Sequence, residues 1–143
     1  MLVTPTRRRV FDSYGRSVNT HEDYPEAMRF IAAREGVPVI ELNGMTASLY
    51  EALGPDDSRK ALVHYPAGTF PGQTQALEDN THFNPYGAYQ VAKCVLSGMR
   101  EAAPSLYLKL RDFDGYDPSH PDDPAKFVWA PSPLNEWLKP DGN

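Results

Sequence analysis

The sequence predicts an α/β domain with parallel strands, and three observations carry that prediction. An apolar run, Leu2-Val-Thr-Pro-Thr6, precedes a helical stretch, which leads to a second apolar run, Val37-Pro-Val-Ile-Glu-Leu42. That strand-helix-strand order implies a right-handed crossover that leaves the two strands parallel. The strongest helical pattern comes later, with Ala88, Val91, Ala92, Val95, Leu96 and Met99 at i, i+3, i+4, i+7, i+8 and i+11.

Each element has a local cause. Residues 2 to 6 read as a buried strand closed by Pro5. From Arg7 to Tyr24 the chain shows little periodicity and carries Gly15, Asn19, Thr20 and His21. Long loops inside compact domains are usually functional. A helix is expected over 25–35: Pro25 suits its first position, Glu26 favours its dipole, Gly36 stops it, and Ala27, Phe30 and Ile31 mark its apolar face. After the strand at 37–42, Asn43 can cap a helix over 44–53, whose Met45, Leu49, Ala52 and Leu53 share a face before Gly54-Pro55 ends it. The stretch from Ala61 to Gly72, dense in Gly, Pro and aromatics, reads as a loop that walls a site. Asn84 and Pro85 look like cap and first residue of the helix over 86–102.

At Pro104 the character changes. A body of residues 1–103 gives way to a tail, 104–143, that holds seven of the fourteen prolines, an Asp-rich run and both tryptophans. One short helix near 106–110 is expected there, followed by irregular chain. Trp129 and Trp137 are expected to pin the tail to the body, with stacking on a sugar ring as their other use.

With 143 residues, 41% of them hydrophobic and 23% charged, the chain has the size and make-up of one domain. A formal charge of −5, with basic residues scattered apart from Arg7, Arg8 and Arg9, argues against a nucleic-acid partner. No stretch approaches the roughly 18 apolar residues of a membrane span. The single Cys94 excludes an intrachain disulfide and falls within a helical apolar pattern, so it reads as a buried thiol and leaves the compartment open. No His-x-x-x-His pair or Cys cluster suggests a metal ion.

Chemistry concentrates in Asp79-Asn-Thr-His82. In a tight turn this spacing can bring the Asp oxygen to His Nδ1, fixing the tautomer and leaving Nε2 to take a proton from a nucleophile. A plain helix-capping turn is the other reading of the same residues. Ser13, in Phe11-Asp-Ser13, and Ser17 are weak nucleophile candidates, because a nucleophile of that kind follows the first strand of its domain. His21 and His64 can line the cleft, and His120 in the tail is expected to be solvated.

Asp79-x-x-His82-x-Asn84-x-x-Gly87 resembles the last block of the SGNH, or GDSL, hydrolase family. Leu2-Val-Thr-Pro-Thr-Arg-Arg8, Val18-Asn-Thr-His-Glu-Asp-Tyr-Pro-Glu-Ala-Met28, His64-Tyr-Pro-Ala-Gly-Thr-Phe-Pro-Gly72 and Asp79 to Tyr89 together look like the C-terminal half of a rhamnogalacturonan acetylesterase. The resemblance implies half of a flavodoxin-like, three-layer α/β/α domain with a parallel sheet, whose edge at the first strand would stand open. It implies removal of O-acetyl groups from pectic polysaccharide or oligosaccharide by a Ser-His-Asp triad without cofactor or metal, in a secreted or periplasmic setting. By this resemblance His82 is general base then acid, and Asp79 orients it. The nucleophile Ser and the oxyanion-hole Gly and Asn have no counterpart here and would belong to a missing N-terminal half preceding Met1. Arg7, His21 and His64 are the candidate substrate contacts, and Arg7, Arg8 or Arg9 could pair with a galacturonate carboxylate. A second reading is a non-catalytic split or degenerate domain that binds acetylated polysaccharide or a partner.

Overall fold

A computed structural model describes residues 1–129 and 139–140. In order these form β1 (Leu2–Val3), α1 (Tyr24–Glu35), β2 (Val39–Ile40), α2 (Leu42–Asp57), a 3-10 turn (Ser58–Ala61), β3 (Leu62–Tyr65), β4 (Leu77–Phe83), α3 (Pro85–Ala102), α4 (Pro104–Tyr107) and a 3-10 turn at Pro124–Lys126. The fold is α/β. Strands β1 and β2 pair in parallel, Leu2 with Val39 and Val3 with Ile40, as a strand-helix-strand crossover requires. Pairing extends one residue further, since Thr4 N–H donates to the Ile40 carbonyl at 3.0 Å, and it stops at Pro5, which has no N–H. Among the described residues β1 has no other strand partner.

The second pair departs from expectation. The stretch 61–72 was expected to be loop, but Leu62–Tyr65 forms β3, antiparallel to β4. Val63, Phe70 and Leu77 bury a small core beneath this pair, with Tyr65 edge-on to Phe70 at 5.0 Å. The turn between the strands is tied by the buried Gln73, whose amide donates to the carbonyls of Pro66 and Gln75 and accepts from the Phe70 N–H.

The main core joins β2 to α3 through Ile40, Leu42, Cys94 and Met99, with Met45, Val91, Val95 and Leu96 packed against them. Cys94 is fully buried, and burial pushes its thiol up to about 12. Helices α1 and α3 begin and end close to where their cap residues put them, and α2, which starts at Leu42, is broken at Gly54, whose φ of 74° is not helical. Gly36 closes α1 in the left-handed conformation, and Asn84 caps α3 by accepting from the Gly87 N–H.

Several faces are rotated from their expected positions. Ala27, Phe30 and Ile31 do not face the core: Phe30 is 64% exposed, and α1 buries Pro25 and Ala32 instead. On α2, Ala52 faces solvent, whereas Thr46 and Tyr50 are buried. Asn43 is not the cap; it lies inside the helix, and its side chain donates to the Pro5 carbonyl at 3.1 Å. On α3, Ala88 and Ala92 are exposed and the buried line runs through Gly87, Gln90 and Cys94.

Gln90 explains how the tail is held. Its amide oxygen accepts from the Tyr116 hydroxyl at 2.7 Å, and its amide nitrogen donates to Asp122 Oδ2 at 3.0 Å. Lys93 Nζ reaches the same Oδ2 at 2.6 Å and lies over the Tyr116 ring at 4.1 Å, while the Tyr86 hydroxyl donates to the Asp122 carbonyl. Trp129, expected as an anchor, is 58% exposed, and Trp137 lies outside the described residues. Asp122, with Tyr116, does the anchoring.

Asp122→Ala leaves a buried amide and an ammonium without their acceptor. We expect a loss of about 1–3 kcal/mol in urea unfolding, with faster tryptic cleavage at the exposed Lys109 and Arg111.

Candidate active site

The tetrapeptide Asp79-Asn-Thr-His82 is a bulge in β4. Between the paired Leu62↔Phe83 and His64↔Glu78 stands one residue on β3, Val63, but four on β4, Asp79 to His82. Extra residues on one strand leave backbone N–H groups without ladder partners, and such bulges re-aim side chains. Here the Asp79 carboxylate takes up the difference. Its Oδ1 accepts from the N–H of Thr81 at 2.6 Å and of His82 at 2.9 Å, and its Oδ2 meets His82 Nδ1 at 2.7 Å.

The pair is asymmetric in exposure. The Asp79 side chain is 7% exposed and that of His82 is 62% exposed. Burial alone would raise the Asp79 carboxyl, but hydrogen bonds from the His82 ring and from the His82 and Thr81 N–H groups outweigh it and hold it at about 2. An ionised Asp79 accepts at Nδ1, so that nitrogen carries the proton. His82 Nε2 has no hydrogen-bond partner among the described residues. The imidazole is thus oriented from behind and open in front, the arrangement a proton shuttle needs.

Two residues after His82, Asn84 fixes the frame. Its Nδ2 donates to the carbonyls of Lys60 at 2.7 Å and Leu62 at 3.0 Å, its Oδ1 accepts from Gly87 N–H at 3.0 Å, and its own N–H meets the Ala61 carbonyl. The first turn of α3 therefore lies hard against the start of β3. Only glycine fits at position 87, because a Cβ there would stand 1.9 Å from the Ala61 oxygen and 2.8 Å from Phe83 Cδ1.

The other candidate residues divide. Asn80, at the bulge, accepts at Oδ1 from Arg9 NH1 at 2.8 Å and contacts His64 Nε2 at 3.0 Å, while its carbonyl accepts from Arg9 N–H. His64 and the 7–21 loop thus reach the bulge, the loop through Arg9. Arg9 also bonds Ser58 and the Pro55 carbonyl. Arg7 turns elsewhere, to Asn43 Oδ1 and the Ser17 carbonyl, and His21 Nε2 donates to the Thr6 carbonyl at 2.8 Å. Ser13 is exposed and the Ser17 hydroxyl is buried without a partner; neither bonds a histidine. Asn80 is not singled out as a site residue by sequence, although it lies inside the motif itself, and Arg9, expected only as a candidate partner of a galacturonate carboxylate, instead grips the bulge.

A second Asp-x-x-His was also passed over. Asp117 Oδ1 accepts from Ser119 N–H, Oδ2 meets His120 Nδ1 at 2.9 Å, and the Asp117 carboxyl is held at about 2, first by the Ser119 hydroxyl and N–H and then by the His120 ring. The local geometry nearly repeats that of the bulge. Burial separates them: the Asp117 side chain is 62% exposed and no helix follows it directly. Among the described residues no group of His, Cys, Asp and Glu is arranged to hold a metal ion, and no helix is long and apolar enough to cross a membrane.

Gly87→Ala forces α3 away from β3 or Ala61 out of place. We expect a loss of about 1–3 kcal/mol or more in chemical unfolding, together with displaced His82 ring signals in NMR. Asp79→Asn tests the carboxylate. A carboxyl whose folded pKa is depressed stabilises the fold above its unfolded value, about 3.9, and that contribution is lost as pH falls through about 2. The stability gap between the native chain and Asp79→Asn should narrow as pH falls from about 4 to about 2.

No protein-family model and no solved structure matches the chain. Curated relatives do. Over 112 residues, 78% of this chain and 47% of the relative, it is 42% identical to the rhamnogalacturonan acetylesterase RhgT of Bacillus subtilis (strain 168). Over 101 residues, 71% of this chain and 42% of the relative, it is 29% identical to the probable rhamnogalacturonan acetylesterase YesY of the same organism. The chain thus spans about half the length of the curated relatives it matches. This likeness places the chain among the relatives of rhamnogalacturonan acetylesterases, as the resemblance of Asp79-x-x-His82-x-Asn84-x-x-Gly87 and its companion segments leads one to expect.

Proposed function

We propose that this chain supplies the Asp-His part of the catalytic triad of a carboxylic-ester hydrolase that removes O-acetyl groups from pectic rhamnogalacturonan. One observation carries the reading: a buried Asp79 carboxylate holds His82 Nδ1 at 2.7 Å while Nε2 stays open on an exposed ring. The names of the curated relatives supply the ester and the polysaccharide.

In this reading His82 Nε2 takes the proton of a serine hydroxyl as that oxygen attacks the acetyl carbonyl. It then returns the proton to the departing sugar oxygen. Asp79 stays ionised, keeps the proton on Nδ1 and stabilises the imidazolium that forms between the two steps. The serine and the oxyanion donors come from a segment outside these 143 residues, the N-terminal half of the domain. The partnerless side of β1 and the exposed Phe30 face of α1 are the surfaces such a half would cover. Of the candidate substrate contacts, His64 is the one that borders the bulge, through Asn80. Arg8, exposed and with a guanidinium that bonds no group among the described residues, is the arginine of the triplet left to meet a galacturonate carboxylate.

The test is acetate release from acetylated rhamnogalacturonan. The isolated chain should show none above background, and a protein completed by the N-terminal half should be active. In that protein His82→Ala should cost on the order of 10⁶-fold in kcat and Asp79→Asn on the order of 10⁴-fold, while Asp117→Asn leaves turnover unchanged. Robust release by the isolated chain would overturn the reading.

A further inference from the structure

A shallow cleft of about 590 Å³ opens between the second turn of α3 and the tail. It is lined by Tyr89, Asp122, Asp123, Lys126, Phe127 and Trp129, and includes no residue of the bulge. Its floor is aromatic. The Phe127 and Trp129 rings lie within 19° of parallel with centroids 6.3 Å apart, and Tyr89 leans on Phe127 at 5.5 Å and 38°. Tyr86 braces Phe127 edge-on from the helix side at 5.5 Å. The platform is therefore fixed from below, yet Tyr89 is 44% exposed. Trp129 is more exposed still, at 58%, an unusual outlay of apolar ring surface.

We propose that this cleft is a second, non-catalytic saccharide-binding site that takes a neutral pyranose unit. The C–H face of a pyranose is flat and apolar and suits a row of near-parallel rings, whereas its hydroxyls point outward and need polar partners at the rim. The rim supplies both kinds: the Lys126 ammonium donates, and the Asp122 and Asp123 carboxylates accept. Charge decides which sugar. Asp122 is paired with Lys93, and Asp123 stands 3.6 Å from Lys126, so neither of these two rim cations is free of a carboxylate. A uronate carboxylate would meet these two aspartates without a counter-charge of its own, and a neutral sugar avoids that cost. The platform stands on the first two turns of α3, the helix that begins directly after the bulge. The site is independent of the triad reading, since binding needs neither His82 nor a nucleophile.

The experiment uses the 143-residue chain with two probes that differ chiefly in the C6 carboxylate, galactotetraose and tetragalacturonate. Trp137→Phe leaves Trp129 as the fluorescent reporter, and NMR titration follows the variants that lack it. Galactotetraose should perturb Trp129 fluorescence saturably and bind more tightly than tetragalacturonate. Trp129→Ala and Tyr89→Ala should each weaken it by about tenfold or more, as loss of an aromatic anchor does, with an unchanged fold by circular dichroism. His82→Ala should bind as the parent does. Absence of saturable binding, retention of binding in both aromatic variants, or preference for tetragalacturonate would each overturn the proposal. None of these outcomes bears on acetate release, so a failed esterase reading and a failed binding site are told apart.

Discussion

Three N–H groups converge on one buried carboxylate, and the architecture around the candidate active site follows from that. Asp79 is the acceptor that makes a four-residue bulge tolerable, since the Thr81 and His82 amides released from the ladder would otherwise lack partners. The same carboxylate orients the ring. Backbone repair and imidazole alignment are thus one interaction. Neutralising the carboxylate would loosen the strand as well as the histidine.

The surroundings hold that interaction in place from three sides. Asn84 and Gly87 seat α3 against the Lys60 to Leu62 backbone, with no room for a methyl group. Arg9 grips the bulge from the long loop by its backbone and guanidinium, and His64 does so from β3. The sequence elements that seemed unrelated, an arginine triplet, an aromatic-rich stretch and a helix cap, therefore meet at one place.

Much of this was legible in the sequence, and what was not has a physical cause. Caps and stops gave α1 and α3 nearly residue by residue, because Pro25, Gly36, Asn84 and Pro85 act through local backbone geometry. The β3–β4 pair was hidden because β4 reads Leu-Glu-Asp-Asn-Thr-His-Phe, a polar run without alternation that is held by its bulge and not by a hydrophobic face. Helix faces rotated where a polar residue occupies the centre of the buried line: Gln90 on α3 and Thr46 on α2 are buried for their hydrogen bonds, which periodicity of apolar residues cannot register. The motif itself is less telling than its setting. Asp117 and His120 show that the same spacing builds nearly the same contact in an exposed tail, so burial of the carboxylate and the helix seated behind it distinguish the candidate site.

The lone cysteine acquires a use from its position. Cys94 lies at the contact between α3 and β2, fully buried, with its thiol held so high that almost none is thiolate near neutrality. A thiol in that state is silent to alkylating reagents while the helix is seated and becomes reactive only when the helix lifts. The helix that carries it is the one whose first turn, seated against the start of β3, follows directly after His82. The chain thus carries a chemical clock for a specific event, the transient separation that would carry the imidazole out of line.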